Sequence, residues 1–158
     1  IFITQLKKKY KKIYLEHLSL KNKRLFKSLY KKYFLELSDK KSFNQKLIEK
    51  ILKKFFLKKE KVKFLICTDS NIIGFLIVNF VKNIYEENVC YVNDFYIMKE
   101  FRKNGYATDV INKFIKELKK KHIKELRLEI LNKNYLAKKF WNQFKLYKKS
   151  TNYFIKVR

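Results

Sequence analysis

The segment from Arg102 to Thr108 has the composition of a loop that binds phosphate groups. Gly105, one of only two glycines in the chain, lies between a strand-like run and a helical pattern. The first turn of a helix offers backbone N–H groups without intrahelical acceptors, and the helix dipole favours an anion there. Gly105 and Ala107 would let a phosphate approach the backbone, and Arg102 and Lys103 add positive charge. The residues indicate a pyrophosphate cradle, with a plain strand-to-helix turn as the alternative.

The composition predicts one folded domain rather than a disordered polycation. The 158 residues are 47% hydrophobic despite a formal net charge of +26, which is enough to build a genuine core. Only four of the 40 Lys and Arg residues are arginine, and the lysines are spread along the whole chain. Nucleic-acid-binding proteins usually cluster their basic residues and include arginine. The pattern therefore favours drift towards an AT-rich coding sequence, and it argues against nucleic acid as the partner without excluding it.

Cysteine and histidine give no sign of a metal site. Cys67 and Cys90 lie in apolar runs without a CxxC motif, where a lone thiol is usually buried, and His17 and His122 are isolated. No signal peptide is visible, and no apolar run approaches the ~20 residues that a membrane span needs. A cytoplasmic protein without metal or membrane attachment is expected.

Hydrophobic periodicity predicts the element order β-α-α-β-β-β-α-β-α-β-β. Period-two or continuous apolar runs indicate strands, and a period of about 3.6 residues indicates helices. Ser42 and Gln45 form a capping box that would start the second helix. The run 72–81 is apolar on both parities and should be a central strand. The strands are expected at 12–18, 61–67, 72–81, 89–98 and 125–131 with a closing hairpin over 145–157, and the helices at 22–37, from Ser42, at 107–121 and at 134–144.

The connections predict a single mixed α/β domain. The strands around the turn Asp69-Ser70-Asn71 must form an antiparallel hairpin, because so short a turn permits nothing else. The strand–helix–strand unit from 89 to 131 should instead place its two strands parallel, with a right-handed crossover.

The sequence resembles the GNAT superfamily of acyl-CoA-dependent N-acyltransferases. The stretch from Arg102 to Ala107, "RKNGYA", matches the family signature [RQ]-x-x-G-x-[GA], and Ile97 stands at the usual apolar position before it. Gly74 in "IIGF" matches a glycine of the preceding strand, and "LRLEILNKNYLAKKFW" resembles the block around the last helix. The resemblance covers residues 62–147 firmly. It implies a mostly antiparallel mixed sheet with splayed central strands, helices on both faces, and one domain over residues 1–158.

The resemblance also implies acetyl-CoA as the co-substrate, with no metal. The acetyl group would pass directly to a primary amine in a ternary complex. The backbone of β-strand residues would pair with pantetheine, loop amides would hold the pyrophosphate, and residues opening the last helix would line the pantetheine channel. Arg102 could instead pair with a surface carboxylate. The implied cofactor residues are Phe95, Tyr96, Ile97, Arg102, Lys103, Asn104, Gly105, Tyr106, Ala107, Thr108, Asn134, Tyr135, Ala137 and Phe140.

The catalytic residues are the part that the resemblance defines least. Glu129 is similar to the base of ribosomal-protein alanine N-acetyltransferases, and Asp94 to an aspartate of polyamine acetyltransferases that would orient the acceptor. Both could equally be solvated or salt-bridged carboxylates. Trp141 stands where the family commonly has a tyrosine that acts as the general acid. Its indole can only donate a hydrogen bond to the substrate. Water, solvent-assisted release of the thiolate, or another tyrosine would then serve, and Tyr147 and Tyr106 are the nearest tyrosines.

The acceptor is expected to be a small amine or a peptide N-terminus. A charge of +26 repels polyamines, whereas it favours neutral or acidic amines, amino acids and the phosphates of coenzyme A. Two other functions stay open: a degenerate acyl-CoA-binding module without turnover, and a non-catalytic module that binds RNA or the ribosome through its lysines. The protein would be a monomer or a homodimer.

Overall fold

The computed structural model describes residues 12–37, 44–57 and 61–148. The chain divides into two compact units, Ile1–Leu128 and Glu129–Arg158. The first unit contains strands β1 (Ile13–His17), β2 (Lys61–Thr68), β3 (Ile72–Lys82), β4 (Asn88–Ile97) and β5 (Glu125–Leu128), and helices α1 (Lys23–Leu37), α2 (Gln45–Leu57) and α3 (Tyr106–Lys120). The second unit contains the short helix α4 (Tyr135–Trp141).

The five strands form one mixed sheet in the order β1-β2-β3-β4-β5. Every neighbouring pair is antiparallel except β4 and β5, which are parallel. The prediction of a mostly antiparallel mixed sheet with one parallel unit is therefore confirmed. The strand β3 is central, as its apolar run predicts, because residues 73–78 are buried whichever way their side chains point.

Each face of the sheet carries its own apolar core. The α1–α2 face is covered by the two N-terminal helices, and the α3 face by the helix that connects β4 to β5. Helices on both faces are thus confirmed. The α1–α2 core contains Phe26, Leu29, Tyr30, Ile48, Leu52, Leu65, Cys67, Phe75, Ile77 and Tyr96. The α3 core contains Ile13, Ile66, Ile73, Leu76, Val78, Cys90, Ile97, Val110, Phe114 and Leu118.

The second helix begins later than its predicted capping box requires. Gln45 is the first residue of α2, and the Asn44 side chain accepts a hydrogen bond from the Leu47 N–H at 3.1 Å. Asparagine is as good an N-cap as serine, so Asn44 performs the role predicted for an earlier residue. Ser42 itself lies outside the described residues.

The C-terminal elements are shorter than the periodicity predicts. The strand β5 ends at Leu128 rather than at residue 131, and α4 covers only part of 134–144. Leu136, predicted to point inward, is 74% exposed, because it lies a quarter turn from the stripe formed by Ala137, Phe140, Trp141 and Phe144. Residues 145–148 are not a strand, and the rest of the predicted closing hairpin lies outside the described residues.

Candidate functional site

The second half of β4 has an open edge on the side of β5. The parallel ladder joins Val89–Val92 to Glu125–Leu128 and ends there. Residues 94–97 pair with β3 on their other side, but in the described part of the chain β5 offers them no ladder partner. Backbone N–H and C=O groups of such an edge can pair with an extended ligand. The open edge lies where the resemblance places pantetheine.

A β-bulge marks the start of this edge. Ile77 is the partner of Asp94 and Val78 is the partner of Val92, so Asn93 is the extra residue on β4. A bulge bends its strand and increases the local twist, which turns the following residues away from their former direction. The bulge therefore separates the part of β4 that pairs with β5 from the part that does not.

Gly74 allows β3 and β4 to come very close beside the open edge. A Cβ atom at this position would lie 2.0 Å from the Tyr96 carbonyl oxygen and 3.1 Å from the Ile97 Cα. Both neighbours are backbone atoms, which cannot move aside without separating the strands. The glycine is thus required by contact within the sheet, which explains why the strand contains one.

A tight loop joins the end of β4 to α3. Residues Lys99–Phe101 form a single 3₁₀ turn, and the Arg102 N–H donates to the Lys99 carbonyl at 3.2 Å. Lys103 then adopts a left-handed conformation with φ 62°. The Asn104 side-chain amide closes the loop by donating to the Arg102 carbonyl at 3.1 Å. The chain is in this way directed into the first turn of α3.

Gly105 is the N-cap of α3 and has φ 80°. No side chain caps the helix, whose first bond runs from the Asp109 N–H to the Gly105 carbonyl at 3.0 Å. A Cβ on Gly105 would meet no described atom within 4 Å. The protein itself therefore leaves space beside the glycine at the N-terminus of α3. The carboxylate of Asp109 in the first turn is the one feature here that does not favour an anion.

The Arg102 side chain fastens the end of β4 to α1. Its Nε donates to the Ile97 carbonyl at 2.8 Å, and its NH2 group lies 2.7 Å from Glu36 Oε2. The Tyr96 hydroxyl donates to the other Glu36 oxygen at 2.6 Å. Burial and this hydrogen bond to Glu36 raise the pKa of Tyr96. The carboxylate pairing that the sequence left open for Arg102 is thus present, and its guanidinium points to Glu36.

Asp94 is held by a tyrosine from α1. The Tyr33 hydroxyl donates to Asp94 Oδ1 at 2.8 Å, and the carboxyl group lies on the α1–α2 face next to the open edge. Burial raises the pKa of Asp94, while the Tyr33 hydrogen bond and the charge of Lys61 oppose that rise. The burial of Tyr30 itself, together with the negative charge of Asp94, raises the pKa of Tyr30 to about 12. Asp94 is therefore an oriented carboxylate with an enhanced affinity for a proton.

The remaining predicted residues of the first unit belong largely to its core. Tyr106 and Ala107 pack against the α3 core, as do Phe95 and Ile97. Tyr96 lies in the α1–α2 core. These burials agree with a role through the backbone, since the side chains are used in packing. Tyr106 is only half-buried there, and its role as an acid stays a prediction.

The second unit contains the other predicted residues. Glu129 is exposed and lies one residue beyond the end of β5, so its expected position within a strand is wrong. Asn134 is the N-cap of α4, where its side chain accepts from the Ala137 N–H at 3.0 Å. Tyr135 is 76% exposed and Tyr147 is 78% exposed.

Among residues 129–148 of this second unit, the buried residue is an aromatic one. Trp141 is buried, and its ring centroid lies 5.0 Å from that of Phe140 and 5.7 Å from that of Phe144. The indole that replaces the family's usual tyrosine is therefore a packed side chain.

The described residues contain neither a candidate membrane span nor a candidate metal cluster. None of their helices is long and apolar enough to cross a membrane. Nor do three or more His, Cys, Asp or Glu side chains come together among them as they would around a metal ion.

A family model decides the relationship of the chain to known proteins. Residues 22–145 match the model of the acetyltransferase (GNAT) family. The chain belongs to the GNAT family. The resemblance inferred from the glycine loop is therefore confirmed over most of the length of this GNAT domain. No curated protein sequence is similar enough to the chain to count as a relative.

Solved structures of other acetyltransferases share the fold. A ribosomal-protein-alanine N-acetyltransferase from Brucella melitensis biovar Abortus 2308 has a TM-score of 0.75 and 16% identity, covering 93% of this chain and 100% of its own. A predicted acetyltransferase from Clostridium acetobutylicum, solved with acetyl-CoA, has a TM-score of 0.67 and 17% identity over 93% and 96% of the two chains. An aminoglycoside acetyltransferase from an uncultured soil metagenomic sample, in complex with sisomicin, has a TM-score of 0.67 and 14% identity over 92% and 97%.

The sequence analysis missed the polar side chains that α1 contributes to this GNAT domain. Tyr33 and Glu36 lie three residues apart on one side of the helix, and they bind Asp94, Tyr96 and Arg102. The available signal was their spacing, because polar atoms at i and i+3 next to an apolar stripe share a helix face. That signal does not reveal which strand they meet.

Asp94 should reduce the stability of this GNAT domain at neutral pH. Because its folded pKa is raised, the folded state binds the proton more tightly between the ordinary pKa of 3.8 and the raised pKa. The free energy of unfolding then falls as pH rises through that window. We expect Asp94→Asn, which still offers Tyr33 an acceptor, to raise Tm at pH 7. The rise should be about 2–4 °C for each kcal/mol gained in the free energy of unfolding. The gain should shrink as the pH is lowered towards that window, as followed by thermal melts.

The matched control is Glu100→Gln, which removes an exposed carboxylate six residues further along the chain. It should leave Tm almost unchanged at every pH. A lower Tm for Asp94→Asn than for the wild type at pH 7 would show that the carboxylate stabilises the fold.

Proposed function

We propose that this chain is an N-acetyltransferase that transfers the acetyl group of acetyl-CoA to a primary amine by direct attack in a ternary complex. One observation carries the proposal: the open edge of β4 leads through a short loop to the glycine N-cap of α3. An extended amide chain suits the open edge, and a diphosphate suits the helix N-terminus. Pantetheine followed by a diphosphate is the order of groups in coenzyme A.

Two backbone segments would hold the co-substrate. The main chain of Phe95–Ile97 would pair with the pantetheine amides and donate to the thioester carbonyl. The amides of residues 103–108 would bind the diphosphate, with Gly105 permitting the approach and the charges of Lys103 and its neighbours assisting. The roles of Asn134, Tyr135, Ala137 and Phe140 in lining the channel stay predictions from the resemblance.

The acyl transfer needs three functions from the protein besides binding. The thioester of the co-substrate is the electrophile, and its thiol is the leaving group. Asp94, fixed by Tyr33, would orient the amine beside the open edge. Glu129 would take the proton that the nitrogen loses as the C–N bond forms, directly or through water. Tyr147 or water would supply a proton to the sulfur as the C–S bond breaks.

The transferase proposal is tested by the release of free thiol from acetyl-CoA across a panel of amines. We expect release that depends on the amine, together with a rise in Tm on adding acetyl-CoA. Glu129→Gln should lower kcat by about 10²–10⁴-fold, the usual contribution of a general base, while the acetyl-CoA-induced rise in Tm is retained. Glu100→Gln serves as the control. An unchanged pH–rate profile in Glu129→Gln would remove this residue as the base.

A non-catalytic acyl-CoA-binding protein is the second candidate function. It is favoured by Trp141, which is buried at the position of the family's usual tyrosine and cannot act as an acid at neutral pH. Protection by acetyl-CoA without thiol release from any amine would establish this second function. An RNA-binding module is less well supported, because exposed lysines occur on α1 and α2 on one side of the sheet and on α3 on the other.

A further inference from the structure

A row of polar side chains crosses the α1–α2 face beyond its apolar core. In the strand registers Lys61 is the partner of Asn79, Asn79 of Tyr91, and Tyr91 of Arg127. Side chains alternate along a strand, so these residues share the face on which the alternate positions of their strands join the α1–α2 core. The row therefore runs side by side across four strands, from β2 to β5. Its members are neither fully buried nor fully exposed.

Asp94 lies on the same face as this row, in the neighbouring row of side chains, which on β3 is two residues away. Its ladder partner is Ile77, two residues before Asn79 on β3, so Asp94 and Asn79 are diagonal neighbours. Diagonal pairs on adjacent strands lie roughly 7–8 Å apart, a span that one small polar group can bridge between two side chains. Lys63 is in the same row as Asp94, because both are ladder partners of Ile77 from its two neighbouring strands.

Two oxygen atoms at this place lack hydrogen-bond donors. Asn79 Oδ1 is a buried side-chain atom without a partner in the described structure. Asp94 accepts the Tyr33 hydroxyl at Oδ1, and no hydrogen bond from the described residues reaches its Oδ2. A buried carbonyl without a donor is costly and rare in native proteins. A primary amine or ammonium group supplies several N–H donors and so fits a site formed by an amide oxygen and a carboxylate.

Lysines lie on one side of these two oxygens, and an arginine that is paired with a glutamate lies on the other. Lys61 is close enough to Asp94 to lower its pKa, and Lys63 Nζ lies 3.1 Å from the Lys61 carbonyl. On the other side, Arg127 donates to Glu125 at 2.5 Å and to the Tyr91 hydroxyl at 3.0 Å, which fixes its guanidinium on this face. An acceptor with a second positive charge would be repelled here, whereas a carboxylate would be attracted.

We propose that the acceptor of the transferase is a small amino acid, a primary amine that also carries a carboxylate. The amine binds between Asn79 and Asp94, and the carboxylate binds to the cations of the row, with Lys61 contributing most. This inference rests on the proposed acetyl-transfer function and assigns the substrate class for it. Asn79 and Lys61 thereby become substrate-binding residues, which the sequence did not indicate.

The first test compares acceptors that differ only in their second group. γ-Aminobutyrate, n-butylamine and putrescine present the same amine on a four-carbon chain that ends in a carboxylate, a methyl group or a second amine. Glycine and β-alanine with their matching alkylamines cover shorter spans. At the best span, we expect kcat/KM for the amino acid to exceed that of the alkylamine by about tenfold or more, as one ionic hydrogen bond gives. Equal or better use of the alkylamine at every span would overturn the inference.

The second test uses variants with matched controls. Lys61→Met should abolish the preference for the amino acid over the alkylamine, whereas Lys116→Met, which removes an equal charge on α3, should not. Asn79→Leu should raise KM for every amine by about tenfold and also raise Tm, because it removes an unpaired buried oxygen. A lower Tm with unchanged KM would show that water or Lys61 satisfies Asn79, and would overturn its assignment.

Different outcomes would overturn the transferase function and the substrate class. If no amine releases thiol from acetyl-CoA, the transferase function fails, and the substrate class fails with it. If alkylamines or diamines are acetylated as well as amino acids, only the substrate class fails. In all variants the rise in Tm on adding acetyl-CoA should equal that of the wild type, because none of the altered residues belongs to the loop that would bind the diphosphate.

Discussion

Gly105→Asn is expected to fold normally and to lose acetyl-CoA binding. Asparagine tolerates the left-handed conformation better than other L-residues, so φ 80° should cost it little. Its Cβ would meet no described atom within 4 Å, so the substitution introduces no clash at that atom in the absence of ligand. If the diphosphate loses two ionic hydrogen bonds, Kd for acetyl-CoA should rise about a hundredfold or more, as measured by calorimetry.

This substitution separates the two roles that a glycine in such a loop can have. If Gly105 serves only to provide a positive φ, asparagine will replace it and Kd will be unchanged. If the backbone must also contact a phosphate, the variant will be stable and unable to bind. Lys103→Asn is the matched control, because it also adopts a left-handed conformation but already carries a side chain. It should weaken binding only by the loss of one charge.

Gly74→Ala is expected to cause the largest loss of stability of any single methyl group added to this chain. The new Cβ would lie 2.0 Å from the Tyr96 carbonyl oxygen, and neither backbone can yield without opening the β3–β4 pair. Such a clash belongs to the exceptional class of substitutions that cost about 4 kcal/mol or more. For a domain of this size, Tm should fall by roughly 10 °C or more.

Gly105→Ala is the control for this prediction, because it adds the same methyl group where no described atom lies within 4 Å. It should cost only about 1–2 kcal/mol, the strain of an L-residue in the left-handed region. Thermal or denaturant unfolding of the two variants gives the comparison. If Gly105→Ala were the more destabilised of the two, the close approach of β3 and β4 would be refuted.

The parts of the fold that depend on local pattern could be predicted from the sequence. The continuous apolar run of β3 indicated a strand buried on both faces, and the change of period after β4 indicated the helix of a parallel unit. The glycine loop indicated the family because a left-handed residue at the N-cap of a helix restricts the residue types that can stand there.

The parts that depend on distant partners could not be predicted in the same way. Arg102 meets Glu36, and Asp94 meets Tyr33, across more than 60 positions of sequence. Periodicity shows that such side chains face a core but not what they touch there. The end of β5 at Leu128 is of the same kind, because the ladder ends at the residue before the bulge of β4 rather than where the apolar residues after β5 run out.

A crystal structure with acetyl-CoA tests the central claim most directly. The account predicts diphosphate oxygens within hydrogen-bond distance of the amides of residues 103–108, and pantetheine alongside residues 93–97 of β4. A nucleotide bound elsewhere, or an edge of β4 that is closed by another strand when acetyl-CoA is bound, would contradict it.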